Sequence, residues 1–222
     1  ALYENLMDKL ISPDQFTIRH RLESVKILPP TGENDPKLYG DITQRAVFTA
    51  ELSNPHAKRA ICMAVTSDKY NTEDGSPTSW SGAIDNIAAG VLDETKRLLF
   101  ISAGNVSPAD IGHPEKYPDE NKTHSVDSPG QAWNAITVGA YNNLVQIDDP
   151  LLKDYKPVAD VGELSPYSST SVSWDPKWPI KPEILCDGGN LATDGTNLTE
   201  CADLSLLTTH NKLHEHLFTT TW

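Results

Sequence analysis

The chain has 222 residues, of which 18 are Lys or Arg and 31 are Asp or Glu, giving a net charge of -13. That length supports a domain whose apolar core needs no disulfide or metal staple. The acidic balance excludes a surface built to hold nucleic acid or an anionic membrane, since neither offers a compensating charge.

At the start of the chain, Leu2, Leu6 and Leu10 share one helical face, with Met7 beside them. Leu22 to Leu28 alternates as a strand does, and Pro29-Pro30 stops it. Asp41 is placed to cap a helix carrying Ile42, Ala46, Val47 and Ala50 on one side and ending near Asn54-Pro55. Arg59 to Thr66 reads as a second apolar strand, in which Cys62 is a small buried hydrophobe. This strand empties into a polar loop from Ser67 to Pro77. Ser79 then caps the most regular helix, with Trp80, Ala83, Ile84, Ile87, Ala88 and Val91 at the spacing of a helix laid on a sheet.

Leu98-Leu99-Phe100-Ile101 is a run too short for a membrane span and fits a strand buried on both faces of a parallel sheet. It ends in Ser102-Ala103-Gly104, small enough for a backbone or substrate to approach closely, and then Asn105, whose carboxamide can donate hydrogen bonds. The first hundred residues thus read strand, helix, strand, helix, strand, the pattern of a parallel sheet with crossover helices. Val106 to Gly130, with Pro108, Pro114, Pro118 and Pro129, is too long to be a mere connector. Ala135 to Ala140 is another short strand, the acidic stretch from Asp148 to Glu163 is expected at the surface, and Pro182 to Cys186 is a last strand before the turn-rich Asp187 to Asn190. In such sheets ligands bind beyond the carboxyl ends of the strands, so the loops after Thr66 and Ser102 are the first places to look for a site.

Four of these pieces, in order, resemble the subtilisin-like serine proteases, the subtilases. Ile101-Ser102-Ala103-Gly104-Asn105 is similar to the family's strand leading to its oxyanion asparagine, and Asn134-Ala135-Ile136-Thr137-Val138-Gly139-Ala140 to the strand that follows. Ser165-Pro166-Tyr167-Ser168-Ser169 and Lys181-Pro182-Glu183-Ile184 resemble a later serine-containing turn and the Lys-Pro-Asp/Glu-Ile strand. The resemblance covers roughly residues 24–190 and implies a three-layer α/β/α domain with a mostly parallel sheet. By the same resemblance Met63-Ala64-Val65-Thr66 matches the strand that pairs with an extended peptide, so Ala64, Val65 and Thr66 are substrate-binding candidates. Ser102, Ala103 and Gly104 would line the pocket for the residue before the cleaved bond, and Asn105 would stabilise the oxyanion as the catalytic candidate.

The family's triad runs Asp, His, Ser along the chain, yet no Asp-Thr-Gly, Asp-Ser-Gly, His-Gly-Thr or Gly-Thr-Ser-x-Ala segment occurs here. The 222 residues therefore read as one partial subtilase domain, incomplete at both ends, with the His motif expected just before Ala1-Leu2-Tyr3 and the Ser motif just past Trp222. The segment alone is expected to be inactive; a non-enzymatic peptide-binding module on the same fold is the alternative. After the Lys-Pro-Glu-Ile strand most relatives continue Ala-Pro-Gly, whereas Cys186-Asp187-Gly188 stands here, and residues 191–222 match no family motif.

Other patterns point elsewhere. His210 and His214 are four apart and could share a helix face with a metal, with His216 nearby, but Asn211 stands where a zinc protease needs Glu. No metal or cofactor is expected, and although the family holds structural calcium, no ligand set is identified. Asn105, Asn121 and Asn197 each open a glycosylation pattern. Cys62, Cys186 and Cys201 cannot all pair and lack zinc spacing, so they are read as mostly reduced; with no signal segment or long apolar run, the compartment leans cytoplasmic. The expected partner is a peptide or protein substrate, with no nucleic acid and no membrane. Exposed sheet edges invite pairing with a second copy.

Overall fold

The computed structural model describes residues 12–15, 17–69 and 71–207. Its centre is a parallel sheet of four strands: β1 (Ala60–Met63), β2 (Leu98–Ser102), β3 (Ile136–Tyr141) and β5 (Ile184–Asp187), lying side by side in the order β1-β2-β3-β5. This is the α/β class with a mostly parallel sheet that the sequence predicts. Two helices, α1 (Tyr39–Ser53) and α2 (Ser79–Ala89), pack on one face, where Val47, Trp80, Ile84 and Ile87 meet Met63, Leu99 and Ile101 in the main core. Inside that core Trp80 Nε1 donates to Thr43 Oγ1 at 2.9 Å, so the indole is buried without stranding its polar atom.

Helix α2 forms where the periodicity puts it, but its cap is Thr78, not Ser79. Thr78 and Ser81 exchange side-chain-to-backbone hydrogen bonds in a capping box. Gly90 ends the helix with φ 71°, a left-handed conformation that costs glycine little. Val91 therefore lies beyond the helix, exposed, rather than on its apolar face. Helix α1 starts before Asp41, which sits in its first turn.

Three further expectations are corrected. Leu22 to Leu28 forms no strand: it runs irregularly, only Ile27 packs against the core, and Leu22, Val25 and Leu28 stay exposed. Alternation needs a neighbouring strand to become a ladder, and among the described residues no strand pairs with this segment. Cys62 is exposed rather than buried, because it points to the face opposite α1 and α2, as do the partly exposed Leu98 and Phe100. The strand Leu98–Ser102 is accordingly covered fully on one face only. The stretch from Asp148 to Glu163 is not wholly surface: Ala159 is buried, and Val158 N donates to Leu191 O at 2.9 Å.

That last contact belongs to a small antiparallel sheet that residues 191–222 did not announce. β4 (Lys156–Pro157) pairs with β6 (Ala192–Thr193), which pairs with β7 (Leu198–Thr199). Asn190 fastens it. Its side chain is fully buried, accepts from the backbone of Ala159 and Leu191, and donates to the carbonyls of Leu144 and Ala159, so all its polar capacity is used. Residues 2–10 and the cluster of His210, His214 and His216 lie outside the described residues.

At the other side, Arg97 ties α1 to the start of β2. It is almost fully buried, pairs in a fork with Glu51 (2.7 and 2.8 Å), bonds Asp93, reaches the carbonyls of Ile87 and Thr95, and lies over the Phe48 ring. Lys181, also buried, donates to Ala135 O at 3.2 Å and pairs with Glu183, whose other oxygen accepts from Thr137 N. The Lys-Pro-Glu motif is thus a clamp between β3 and β5.

Candidate active site

The residues after β2 are threaded between two other segments. Asp127 N donates to Ala103 O at 2.8 Å, and Ser169 Oγ donates to the same carbonyl at 2.7 Å. Val106 N donates to Tyr167 O at 2.9 Å, and Asn105 faces Ser168 in an isolated antiparallel bridge. These contacts hold the backbone of 103–106 taut. Asn105 itself is exposed, and its side-chain amide makes no hydrogen bond among the described residues. The loop from Val106 to Gly130 forms the back wall: it carries α3 (Pro108–Ile111) and α4 (Asp119–Thr123). From α4 the buried Asn121 donates to the carbonyls of Pro166 and Ser168 at 2.7 and 3.1 Å. An asparagine occupied in this way is no glycosylation acceptor.

Beside Asn105 stands a carboxylate that no sequence motif marks. Asp127 is half-buried, and Gly104 is glycine because of it: with φ 102°, Gly104 lies so close that a Cβ there would overlap the Asp127 carboxyl group. Thr66 Oγ1 donates to Oδ2 at 3.5 Å and Asn71 Nδ2 to Oδ1 at 2.6 Å, while Asn71 Oδ1 accepts from Ser128 N at 2.6 Å. Ser67 N donates to Ser128 O, which stitches the loop after β1 to the same segment. Thus the ends of β1 and β2 meet at Asp127. A cleft of ≈ 440 Å³ opens next to Val65 and Thr66, floored by Tyr39, Thr43 and Trp80 and closed by Ile27 and Leu28.

A family model for the subtilases matches residues 5–222. The chain belongs to the subtilase family. Its kind of function is thereby that of a serine peptidase, and its fold class is the family's. No curated protein matches the chain at a significant level.

Within this subtilase, Ser102, Ala103, Gly104 and Asn105 form one continuous strand end, with Ala103 and Gly104 buried and Asn105 exposed. Thr66 is brought to them through Asp127; Val65 lines the cleft, and Ala64 is exposed. The serines of the Ser165–Ser169 turn are all engaged structurally. Ser165 Oγ donates to Gly189 O, Ser168 Oγ accepts from Ala140 N, and Ser169 Oγ holds Ala103. Among the described residues none is presented to a histidine as a nucleophile would be. Among the described residues no group of three or more His, Cys, Asp or Glu is placed to hold a metal ion, and no helix is long and apolar enough to cross a membrane.

Asp127 and Asn71 escape a reading of the sequence because neither belongs to a motif. The signal available was the excess length of the loop from Val106 to Gly130, together with the rule that sites lie beyond the strand ends. Burial pushes the Asp127 carboxyl above the ordinary carboxylate range, more than the Asn71 bond pulls it down, and Asp68 adds repulsion. A folded-state pKa above the unfolded value means the native state holds this proton more tightly. Its stabilising contribution is complete below the unfolded pKa of about 3.9 and is lost as the pH rises through the raised folded value. The stability of the wild type relative to Asp127→Asn is therefore expected to fall as pH rises from about 4. Thermal melts of both proteins across that range check this, and a difference that stays flat or grows with pH contradicts it.

Proposed function

We propose that the protein is a serine endopeptidase that cleaves an extended peptide lying across the carboxyl ends of β1 and β2. The observation that carries this reading is Asn105. In a chain of the subtilase family, an exposed carboxamide with no hydrogen-bond partner among the described residues stands at the end of β2, and the neighbouring end of β1 lines a cleft with Val65 and Thr66. In this reading the backbone of Ala64, Val65 and Thr66 pairs with the substrate, Ser102, Ala103 and Gly104 receive the side chain before the cleaved bond, and Asn105 Nδ2 donates to the developing oxyanion. A serine hydroxyl attacks the carbonyl carbon while histidine takes its proton. The amine leaves with that proton, and water then releases the acyl group from the serine.

No motif for either residue occurs in the 222 residues, so both are proposed to come from outside this segment. On that reading the segment itself is silent. The missing motifs also sustain a second reading, a module that holds a peptide without cleaving it. A fluorophosphonate probe, which labels activated serines, separates the two when the product is weighed intact. Labelling of a chain extended at both ends but not of the 222 residues supports the peptidase. Labelling of the 222 residues alone contradicts the division of labour, and labelling of neither favours the binding module.

A further inference from the structure

We propose that Asp127 makes this subtilase select peptides with arginine or lysine immediately before the cleaved bond. The inference rests on the peptidase reading above and names the substrate class of its pocket for the residue before the cleaved bond; Asp127 adjoins the ≈ 440 Å³ cleft at Thr66 without lining it. Its first support is position. The carboxylate lies over the bare Cα of Gly104 and within 3.5 Å of Thr66 Oγ1, between the two strand ends that form the proposed pocket walls. On the peptidase reading, a substrate side chain directed between those walls would meet it.

Its second support is rigidity. Asn71 holds Oδ1 and is itself held by Ser128 N, Asp127 N is bound to Ala103 O, and Gly130 N donates to Asp127 O at 2.7 Å. The carboxylate cannot turn away to solvent without breaking its bond from Asn71.

The third support is the unfinished balance of charge. The groups facing Asp127 electrostatically are Asp68, of the same sign, and His124. No Lys or Arg forms an ion pair with it among the described residues. The contrast is with Glu51 and Asp93, which share the guanidinium of Arg97. Among the described residues each Asp127 oxygen takes one hydrogen bond and keeps a lone pair. A substrate guanidinium supplies two parallel donors and the missing positive charge. An apolar side chain in the same place would strip water from the carboxylate and give nothing back. Selectivity then comes from attraction of the basic residue and rejection of the apolar one together.

The test uses the protein that carries the whole subtilase domain and fluorogenic peptides differing only at that position, with Arg, Lys, citrulline or Leu. Citrulline keeps the shape of arginine without its charge, so this comparison needs no variant to fold. The expected kcat/KM for Arg exceeds that for citrulline by about 10²-fold, in the range seen when a buried charge loses its partner. In Asp127→Asn the ratio falls to within a few-fold and the Leu peptide is cleaved faster than by the wild type. Equal cleavage of the Arg and citrulline peptides overturns the proposal. So does an Arg preference that survives in Asp127→Asn, the result expected if Asp127 only braces the loop. Fluorophosphonate labelling without faster cleavage of the Arg peptide removes the basic preference alone. Absence of both labelling and cleavage removes the peptidase reading and the preference with it.

Discussion

Replacing Asn105 with alanine in the protein carrying the whole subtilase domain is expected to lower kcat by about 10²–10³-fold with little change in KM, the magnitude measured when the oxyanion asparagine of a subtilisin is removed. The argument for the split between the two constants is general. A donor aimed at the oxyanion strengthens its bond only as the carbonyl oxygen gains charge, so its loss raises the barrier and leaves ground-state binding largely alone. The structural cost of the change is small. Asn105 is exposed, its side chain holds no other described residue, and the backbone around it is fixed by Ser168, Tyr167 and Ser169 through contacts that do not use the amide. An unchanged melting temperature with depressed kcat is the expected pair of results. Normal kcat would remove Asn105 from the mechanism, and a large rise in KM alone would make it a binding residue instead.

Arg97→Ala is expected to cost about 2–4 kcal/mol of stability, near the lower end for breaking a buried ion pair, because the two carboxylates left behind can reach water. Glu51 and Asp93 keep 28% and 37% of their side-chain surface exposed, whereas Arg97 keeps 5%. The loss is not only of charge. The guanidinium also holds the carbonyls of Ile87 and Thr95 and covers Phe48, so alanine strips a partner from the end of α2 and leaves a void against α1. Lysine at the same position retains the charge but not the fork and should recover only part of the loss. Denaturant titration of both variants checks this: a shift below about 0.5 kcal/mol for Arg97→Ala would reduce the network to the standing of a surface pair.

The neighbourhood of Asp127 shows why part of the candidate site was hidden. Asn71 and Asp127 are 56 positions apart and meet in a bond of 2.6 Å. Neither lies in a periodic segment, and a polar residue in a loop carries no mark of what it will face. The oxyanion candidate was easier to find because its local surroundings announce it: an apolar strand, three small residues and an amide. Even there, the reason for Gly104 became visible only when the Asp127 carboxylate was found lying over it.

What the sequence by itself determined was local and ordered: the apolar runs of β1, β2, β3 and β5, the amphipathic face of α2, and the order of the family motifs. These depend on side-chain periodicity and short-range sterics, which are written in consecutive residues. The tertiary structure decided what depends on a distant partner. It left Leu22 to Leu28 without a neighbouring strand, and turned Cys62 to an open face. It formed the small sheet of β4, β6 and β7 around Asn190, and closed the loops after β1 and β2 onto Asp127. Each of those outcomes is a hydrogen bond or a burial shared by residues far apart in the chain, and no window of sequence contains both halves of it.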